Sequence, residues 1–307
     1  MVPARGVCAA SRHKMVDMLS SPVLALRCPV CRSQLNMIRD AGTPVLACAE
    51  GHSFDAAKQG YFNLLVGKGT AFEADTAEMV AARVGFLATG HYGPLAEAVA
   101  AAVVPFLPTE AATLLDSGTG TGYYLRVMLD AAAAASSHVT AIGLDISKFA
   151  LRRAARLNPE AVNLVCDVWQ PLPVADHVID VVTVIFAPRN RAEFARVLRP
   201  GGRLVVVTPR AGHLAAIAGQ TGMLGIEEGK DDKLVDAMSA QFSLEAVHDL
   251  DIPLVLSPEE VADLAYMGPA GHHLDRAELS ARLAGLESNT AVAARFRISV
   301  FRLTPSR

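Results

Sequence analysis

Thr113-Leu114-Leu115-Asp116-Ser117-Gly118-Thr119-Gly120-Thr121-Gly122 is the stretch that decides how this chain folds. A short apolar run ends in an acid, three alternating glycines follow, and a helix-forming run opens at Tyr123. Glycine tolerates backbone angles closed to other residues and lets a ligand approach the main chain closely. A strand, a glycine turn and a helix in that order open a βαβ unit. Working outward, apolar or β-branched runs at Leu114–Asp116, Val139–Asp145, Leu164–Cys166, Val178–Phe186 and Leu204–Thr208 alternate with helical stretches at Tyr123–Ala135, Lys148–Leu157 and Arg191–Leu198. The alternation predicts a doubly wound, Rossmann-like α/β domain over residues 109–307 with a mainly parallel sheet. Near the end, Arg295–Leu303 alternates Phe296, Ile298 and Val300 with polar neighbours, which predicts a late antiparallel strand at a sheet edge.

The glycine loop has two readings. A dinucleotide fingerprint needs Gly-x-Gly-x-x-Gly, whereas Gly118, Gly120 and Gly122 give Gly-x-Gly-x-Gly. Asp116, directly before the glycines, would repel a pyrophosphate but suits the cationic methionine end of S-adenosylmethionine. Asp145 ends the next strand, where a carboxylate can take both ribose hydroxyls, and Asp167 ends the third, where it can accept from the adenine amino group. Three successive strands with acids at their carboxyl ends, where open α/β sheets bind ligands, favour S-adenosylmethionine and a class I methyltransferase fold.

Upstream the character changes. Cys28-x2-Cys31, sixteen residues, then Cys48-x3-His52 places two ligand pairs at the spacing of a four-coordinate zinc site. Four protein ligands fill the coordination sphere, so the expected ion is structural, one per chain. A unit of this size buries too little core to fold without it. Cys8 and Cys166 have no such partners. We read residues 1–22 as a leader, 23–66 as a zinc-binding module, and 67–108 as a helical linker broken at Gly90–Pro94. A modular arrangement implies that stripping the metal unfolds the zinc module but leaves donor affinity largely intact.

The 307 residues are 51% hydrophobic and carry a net charge of −3, which excludes a disordered chain and wholesale coating of nucleic acid. Charge is uneven, however. Residues 1–70 hold eight bases against four acids, and Pro188–Arg210 holds six arginines against Glu193 alone. No apolar run reaches the roughly 18 residues of a membrane span, and the N-terminus lacks a signal-peptide apolar block, so a cytoplasmic protein without a membrane partner is expected.

At the fourth strand end stand Phe186-Ala187-Pro188-Arg189-Asn190. The segment lacks the Asn/Asp-Pro-Pro-aromatic pattern of exocyclic amine methylation and the Pro-Cys pair of carbon-5 methylation. The zinc knuckle with Gly51–Leu65, Gly90-His91-Tyr92 with Pro94-Leu95, the Gly118–Tyr124 loop, Phe186-Ala187-Pro188 and Thr208-Pro209…His213-Leu214 together resemble the large-subunit ribosomal RNA guanine-N1 methyltransferases. The likeness runs from Cys28 almost to the C-terminus and extends, through Met267-Gly268-Pro269…His272-His273, to the macrolide-resistance branch.

The resemblance implies a zinc module that grips an RNA hairpin and a domain that methylates N1 of a guanine near the peptide exit tunnel. It places Tyr92, Gly120, Thr121 and His213 around S-adenosylmethionine and suggests a homodimer. Phe186, Arg189 and Asn190 are expected to line the target pocket, Phe186 by stacking and Arg189 or Asn190 near the guanine carbonyl. Two other readings stand beside it: a small-molecule methyltransferase with an accessory zinc ribbon, and a non-catalytic zinc RNA-binding protein with a degenerate cofactor domain.

Overall fold

The structure, a computed structural model, describes residues 25–38, 43–67, 70–223, 230–284 and 289–304. The leader read over residues 1–22, with Cys8, lies outside them. Strands β1 (Leu35–Ile38), β2 (Val45–Cys48) and β3 (Ser53–Asp55) form a small antiparallel sheet around the cysteines. After it come β4 (Phe62–Asn63), α1 (Ala77–Ala88) and α2 (Gly93–Val103).

The glycine-loop unit then begins: β5 (Ala112–Ser117), α3 (Tyr123–Ala134), β6 (Val139–Asp145), α4 (Lys148–Leu157) and β7 (Val162–Val165). It continues through β8 (Ile179–Ile185), α5 (Arg191–Val197), β9 (Leu198–Pro209), α6 (Ala215–Thr221) and α7 (Lys230–Met238). The chain closes with β10 (Phe242–Leu256), α8 (Pro258–Tyr266), α9 (Arg276–Leu283) and β11 (Thr290–Leu303).

The large sheet has the order β10-β11-β9-β8-β5-β6-β7-β4. Strands β9, β8, β5, β6, β7 and β4 run parallel, β11 runs against them, and β10, antiparallel to β11, runs with them again. The order reverses beside β5, so the carboxyl ends of β5 and β8 flank the crevice where such sheets bind ligands. Every residue of β5 is buried, as expected of a central parallel strand covered on both faces. Leu114 faces the core under α1, α2, α3 and α8, while Leu115 faces the core under α5 and α7.

Two expectations change. The late strand β11 is antiparallel but interior, because β10 pairs along its whole outer side. That fifteen-residue β10 has no clean alternation in its exposed first half, so its sequence does not announce it. The residues read as a linker form α1 and α2, whose Phe86, Leu87, Leu95 and Val99 are buried in the main core.

The zinc ribbon is likewise part of the main body. The β7–β8 crossover has no helix, and the ribbon covers that face of the sheet instead. Leu26 pairs with Val174, the Arg27 N–H donates to the Pro173 carbonyl (3.0 Å), and the Ala175 N–H donates to the Ala25 carbonyl (2.7 Å). Leu26, Leu35, Leu46 and Phe62 share one core with Ile142, Leu164, Leu172 and Val174. Finally β4 extends the catalytic sheet, with Phe62 opposite Leu164 and Asn63 opposite Val165.

Candidate active site and metal centre

Cys28, Cys31, Cys48 and His52 converge, with their ligand atoms all within 4.8 Å of one another. Cys31 Sγ lies 3.6 Å from Cys48 Sγ, and Cys48 Sγ lies 3.4 Å from His52 Nδ1. A tetrahedral ion about 2.3 Å from each sulfur sets sulfurs about 3.8 Å apart, so the four residues fit zinc with little adjustment. Two tight turns present them: the Arg32 N–H donates to the Cys28 carbonyl, and the Gly51 N–H donates to the Cys48 carbonyl. Burial raises the Cys48 pKa, but hydrogen bonds from Ser33 and His52 outweigh it and bring the thiol down to about 6. Thiolate is the form that binds metal. Cys166 stands apart, buried in the core, and burial pushes its pKa up.

The crevice is built at the carboxyl ends of β5, β6 and β7. Asp116 is 1% exposed, accepts from Thr183 Oγ1 (2.7 Å), and is pushed by burial up to about 6. Beside it Ser117 Oγ is buried without a hydrogen-bond partner among the described residues. The loop then turns through Gly118 (φ 81°), Gly120 (φ 56°) and Gly122 (φ 80°). At Gly118 a Cβ would run into the Ala187 Cβ, and at Gly122 it would come 2.9 Å from Ala154 Cα. The third glycine therefore lets α3 and α4 pack closely.

Asp145 spans that loop and the next helix. Its Oδ2 accepts from the Gly120 N–H (2.8 Å) and its Oδ1 from the Ser147 N–H (2.8 Å). Burial raises its pKa, while those two N–H groups pull it down. Asp167 is also buried, accepting from Thr70 Oγ1 (2.9 Å) and from the Trp169 N–H (2.9 Å). The three acids thus stand on adjacent strand ends, and a partnerless hydroxyl and a glycine-lined approach lie beside the first. This donor set fits a ligand with a cationic head, ribose hydroxyls and an exocyclic amine.

The residues placed around the cofactor by resemblance meet on one aromatic hub. Phe296 of β11 lies 5.1 Å from the Tyr92 ring, 5.5 Å from Phe186 and 4.8 Å from His213. Tyr92 is buried at the start of α2, which raises its pKa. His213 Nδ1 lies 3.0 Å from the Arg295 N–H and 3.1 Å from the Arg295 carbonyl, which leaves Nε2 for a ligand. Burial lowers the His213 pKa to about 4, so the ring is neutral at physiological pH. Phe186 is 45% exposed with φ 55°, an uncommon conformation for a bulky residue that turns its ring toward Tyr124 and Phe296.

Of Phe186, Arg189 and Asn190, the structure brings the last two to one cavity and leaves Phe186 outside it. Asn190 caps α5, its Oδ1 accepting from the Glu193 N–H (3.4 Å), while its Nδ2 donates to the Val168 carbonyl (2.9 Å).

Arg83 of α1 went unnoticed in the sequence. It pairs with Asp75 (2.5 Å), donates to the Met267 carbonyl (2.5 Å), and leaves Nη1 3.6 Å from where a Gly120 Cβ would stand. Its signal was a single cation in a helix whose one other charge is Glu78.

Comparison with known proteins agrees with this layout. The family described as RlmA, N-terminal matches residues 26–67, and a methyltransferase-domain family matches residues 115–206. A Micromonospora griseorubida protein named for 23S rRNA (guanine-N(1)-)-methyltransferase activity is 42% identical over 290 residues, spanning 90% of this chain and 97% of its own. The 23S rRNA (guanine(748)-N(1))-methyltransferase of Streptomyces fradiae is 37% identical over 289 residues, spanning 94% of this chain and all of its own. The YcgJ protein of Bacillus subtilis overlays 66% of this chain and 94% of its own, with TM-score 0.44 and 17% identity.

Proposed function

The chain belongs to the 23S rRNA (guanine-N1)-methyltransferase family, and on that premise we propose that it methylates N1 of one guanine in a hairpin loop of large-subunit ribosomal RNA. It is an S-adenosylmethionine-dependent enzyme with a structural zinc ribbon. The observation that carries the reading is β4: the zinc ribbon ends in a strand of the catalytic sheet, two residues of register from the strand that delivers Asp167. An RNA held by the ribbon therefore has a fixed position relative to the donor crevice. No helix is long and apolar enough to cross a membrane.

S-adenosylmethionine supplies a methyl group on a sulfonium, which leaves by in-line displacement. The chain's task is mainly positioning. Asp116 offers a buried carboxylate to the cationic amino acid end, Asp145 holds the loop and faces the ribose, and Asp167 faces the adenine amine. Tyr92, Gly118, Gly120, Thr121, Gly122 and His213 complete the enclosure. Phe186 offers an exposed ring for the target base, which leaves its stack to reach the methyl group. Guanine N1 carries a proton at neutral pH, which must pass to a base or to water as the methyl bond forms. Asn190 holds the loop through its cap of α5 and its bond to Val168, beside Arg189.

This reading also takes in a hairpin near the peptide exit tunnel, altered macrolide sensitivity, a homodimer and a cytoplasmic location. Its support is the full-length similarity to proteins named for this reaction. Mass spectrometry of 23S rRNA nucleosides from cells with and without the gene tests it. We expect one N1-methylguanosine per rRNA to vanish on deletion; identical RNA in both strains would overturn the reading.

A further inference from the structure

A cavity of about 690 Å³ opens beside the crevice, between the loops after β7, β8 and β9 and the face of α7. Among the described residues its lining includes Arg189, Arg191 and Lys233 and no carboxylate, in a chain whose net charge is −3. Arg189 is exposed and makes no hydrogen bond or ion pair among the described residues, so its guanidinium is open to an anionic ligand. Arg191 is fixed by donation to the Ala237 carbonyl (2.6 Å). Thr208 Oγ1, also in the wall, is buried with no partner.

The apolar wall is as informative. Trp169, the only tryptophan of the chain, is 47% exposed at the mouth. Its backbone N–H is pinned to Asp167 and its ring sits 6.3 Å from Phe72, so the indole is held in place while its face stays open. Exposed aromatic faces flanked by cations are how proteins take unstacked bases of single-stranded RNA. A volume of this order accommodates a whole nucleotide. Phe186, on the other side of the same loop, faces the Tyr124–Phe296–His213 group instead.

From these observations, and resting on the RNA substrate proposed above, we propose that this cavity is a second nucleotide site, which holds a residue flanking the target guanine with its base on Trp169 and its phosphodiester on Arg189 and Lys233. The β8–α5 loop then separates two chambers, one for the reacting base and one for its neighbour. Holding the neighbour keeps the target base unstacked and sets which loop guanine enters.

Trp169 provides its own probe, because all indole emission comes from it. Titration of the full chain with a 23S rRNA transcript made in vitro quenches that emission. Trp169→Ala raises the KM for RNA about 10-fold, Trp169→Phe keeps it within about twofold, and both retain donor affinity by calorimetry. Arg189→Ala lowers the salt dependence of RNA binding by about one counterion and acts on KM rather than kcat. Unmoved emission with active methylation, and wild-type KM in Trp169→Ala and Arg189→Ala, overturns this inference alone. Equal damage by Trp169→Phe and Trp169→Ala overturns it in favour of a packing role. Quenching by polyglutamate but not RNA overturns it in favour of an acidic protein partner. Absence of any RNA methylation by the wild-type chain removes the reading beneath it, and the inference falls with it.

Discussion

The zinc ribbon and the donor crevice reach order by opposite means. The ribbon's three strands have four, four and three residues, and its convergent ligands do the work of a core. A structural zinc contributes on the order of 10 kcal/mol of folding free energy to such a unit. The crevice draws its order from the central strands of an eight-stranded sheet, buried on both faces, and there strain can be stored: three positive-φ glycines, a positive-φ phenylalanine and an acid driven up to about 6. A region stapled by an ion is readable from local spacing, whereas a region held by packing can afford functional groups that cost stability. The two meet at β4 and along Leu26–Val174, so they are less independent than their sequences suggest.

Breaking the ribbon gives the largest expected effect. Cys48→Ser, or zinc removal by a chelator, abolishes RNA methylation and lowers the thermal midpoint of the whole chain. Because Leu35, Leu46 and Phe62 cover Ile142 and Leu164, donor affinity also falls, by about 10-fold, as calorimetry would measure. Unchanged donor affinity after metal loss would restore the modular reading that the sequence favours.

Within the crevice the backbone is the most sensitive point. Gly122→Ala forces a side chain to within 2.9 Å of Ala154 Cα at φ 80° and should cost about 2–4 kcal/mol in denaturant unfolding. An alanine of wild-type stability would show that α3 and α4 can separate there.

Asp116 gives a pH-dependent test of comparable size. Folded, it keeps its proton up to about pH 6; unfolded, it loses it near 3.8. Between those values the native state binds more protons than the unfolded chain, so stability falls as pH rises through the window. Up to about 3 kcal/mol present below it is gone above it. Asp116→Asn flattens this dependence and raises the unfolding midpoint at pH 7, while donor binding in calorimetry falls about 100-fold. Wild-type donor affinity strengthens from pH 5 to 7, since the ionised form receives the cation. A variant that neither gained stability nor lost donor binding would remove the acid from its assigned place.

Asp145→Asn is the mildest. Asparagine accepts through one oxygen, so either Gly120 or Ser147 loses its bond, at about 1–2 kcal/mol in unfolding experiments.

The legible parts were those whose physics is local. Cys28, Cys31, Cys48 and His52 were readable because a metal ion fixes ligand spacing within a turn. Asp116, Asp145 and Asp167 were readable because each acid directly ends an apolar run. What pairs over long distances was not: β11 looked like an edge strand because nothing in Thr290–Leu303 reveals that β10 covers it. Phe186 and Arg189 were read together because they stand three residues apart, yet the fold turns Phe186 toward Phe296 and leaves Arg189 with Asn190 in the neighbouring cavity. Arg83 and Trp169 were missed since their importance lies in what the fold brings to them, the Gly120 turn in one case and an arginine-lined cavity in the other.

The most direct test of the central claim, that a metal-held ribbon presents RNA to a donor crevice in the same rigid body, is methyl transfer in a purified system. The zinc-loaded chain, labelled S-adenosylmethionine and an unmethylated 23S rRNA transcript are combined, and reverse transcription maps the product. A single strong stop at one guanine, lost when the metal is removed, is the expected result. Tight donor binding without any label on the RNA, or labelling undiminished after zinc removal, would contradict it.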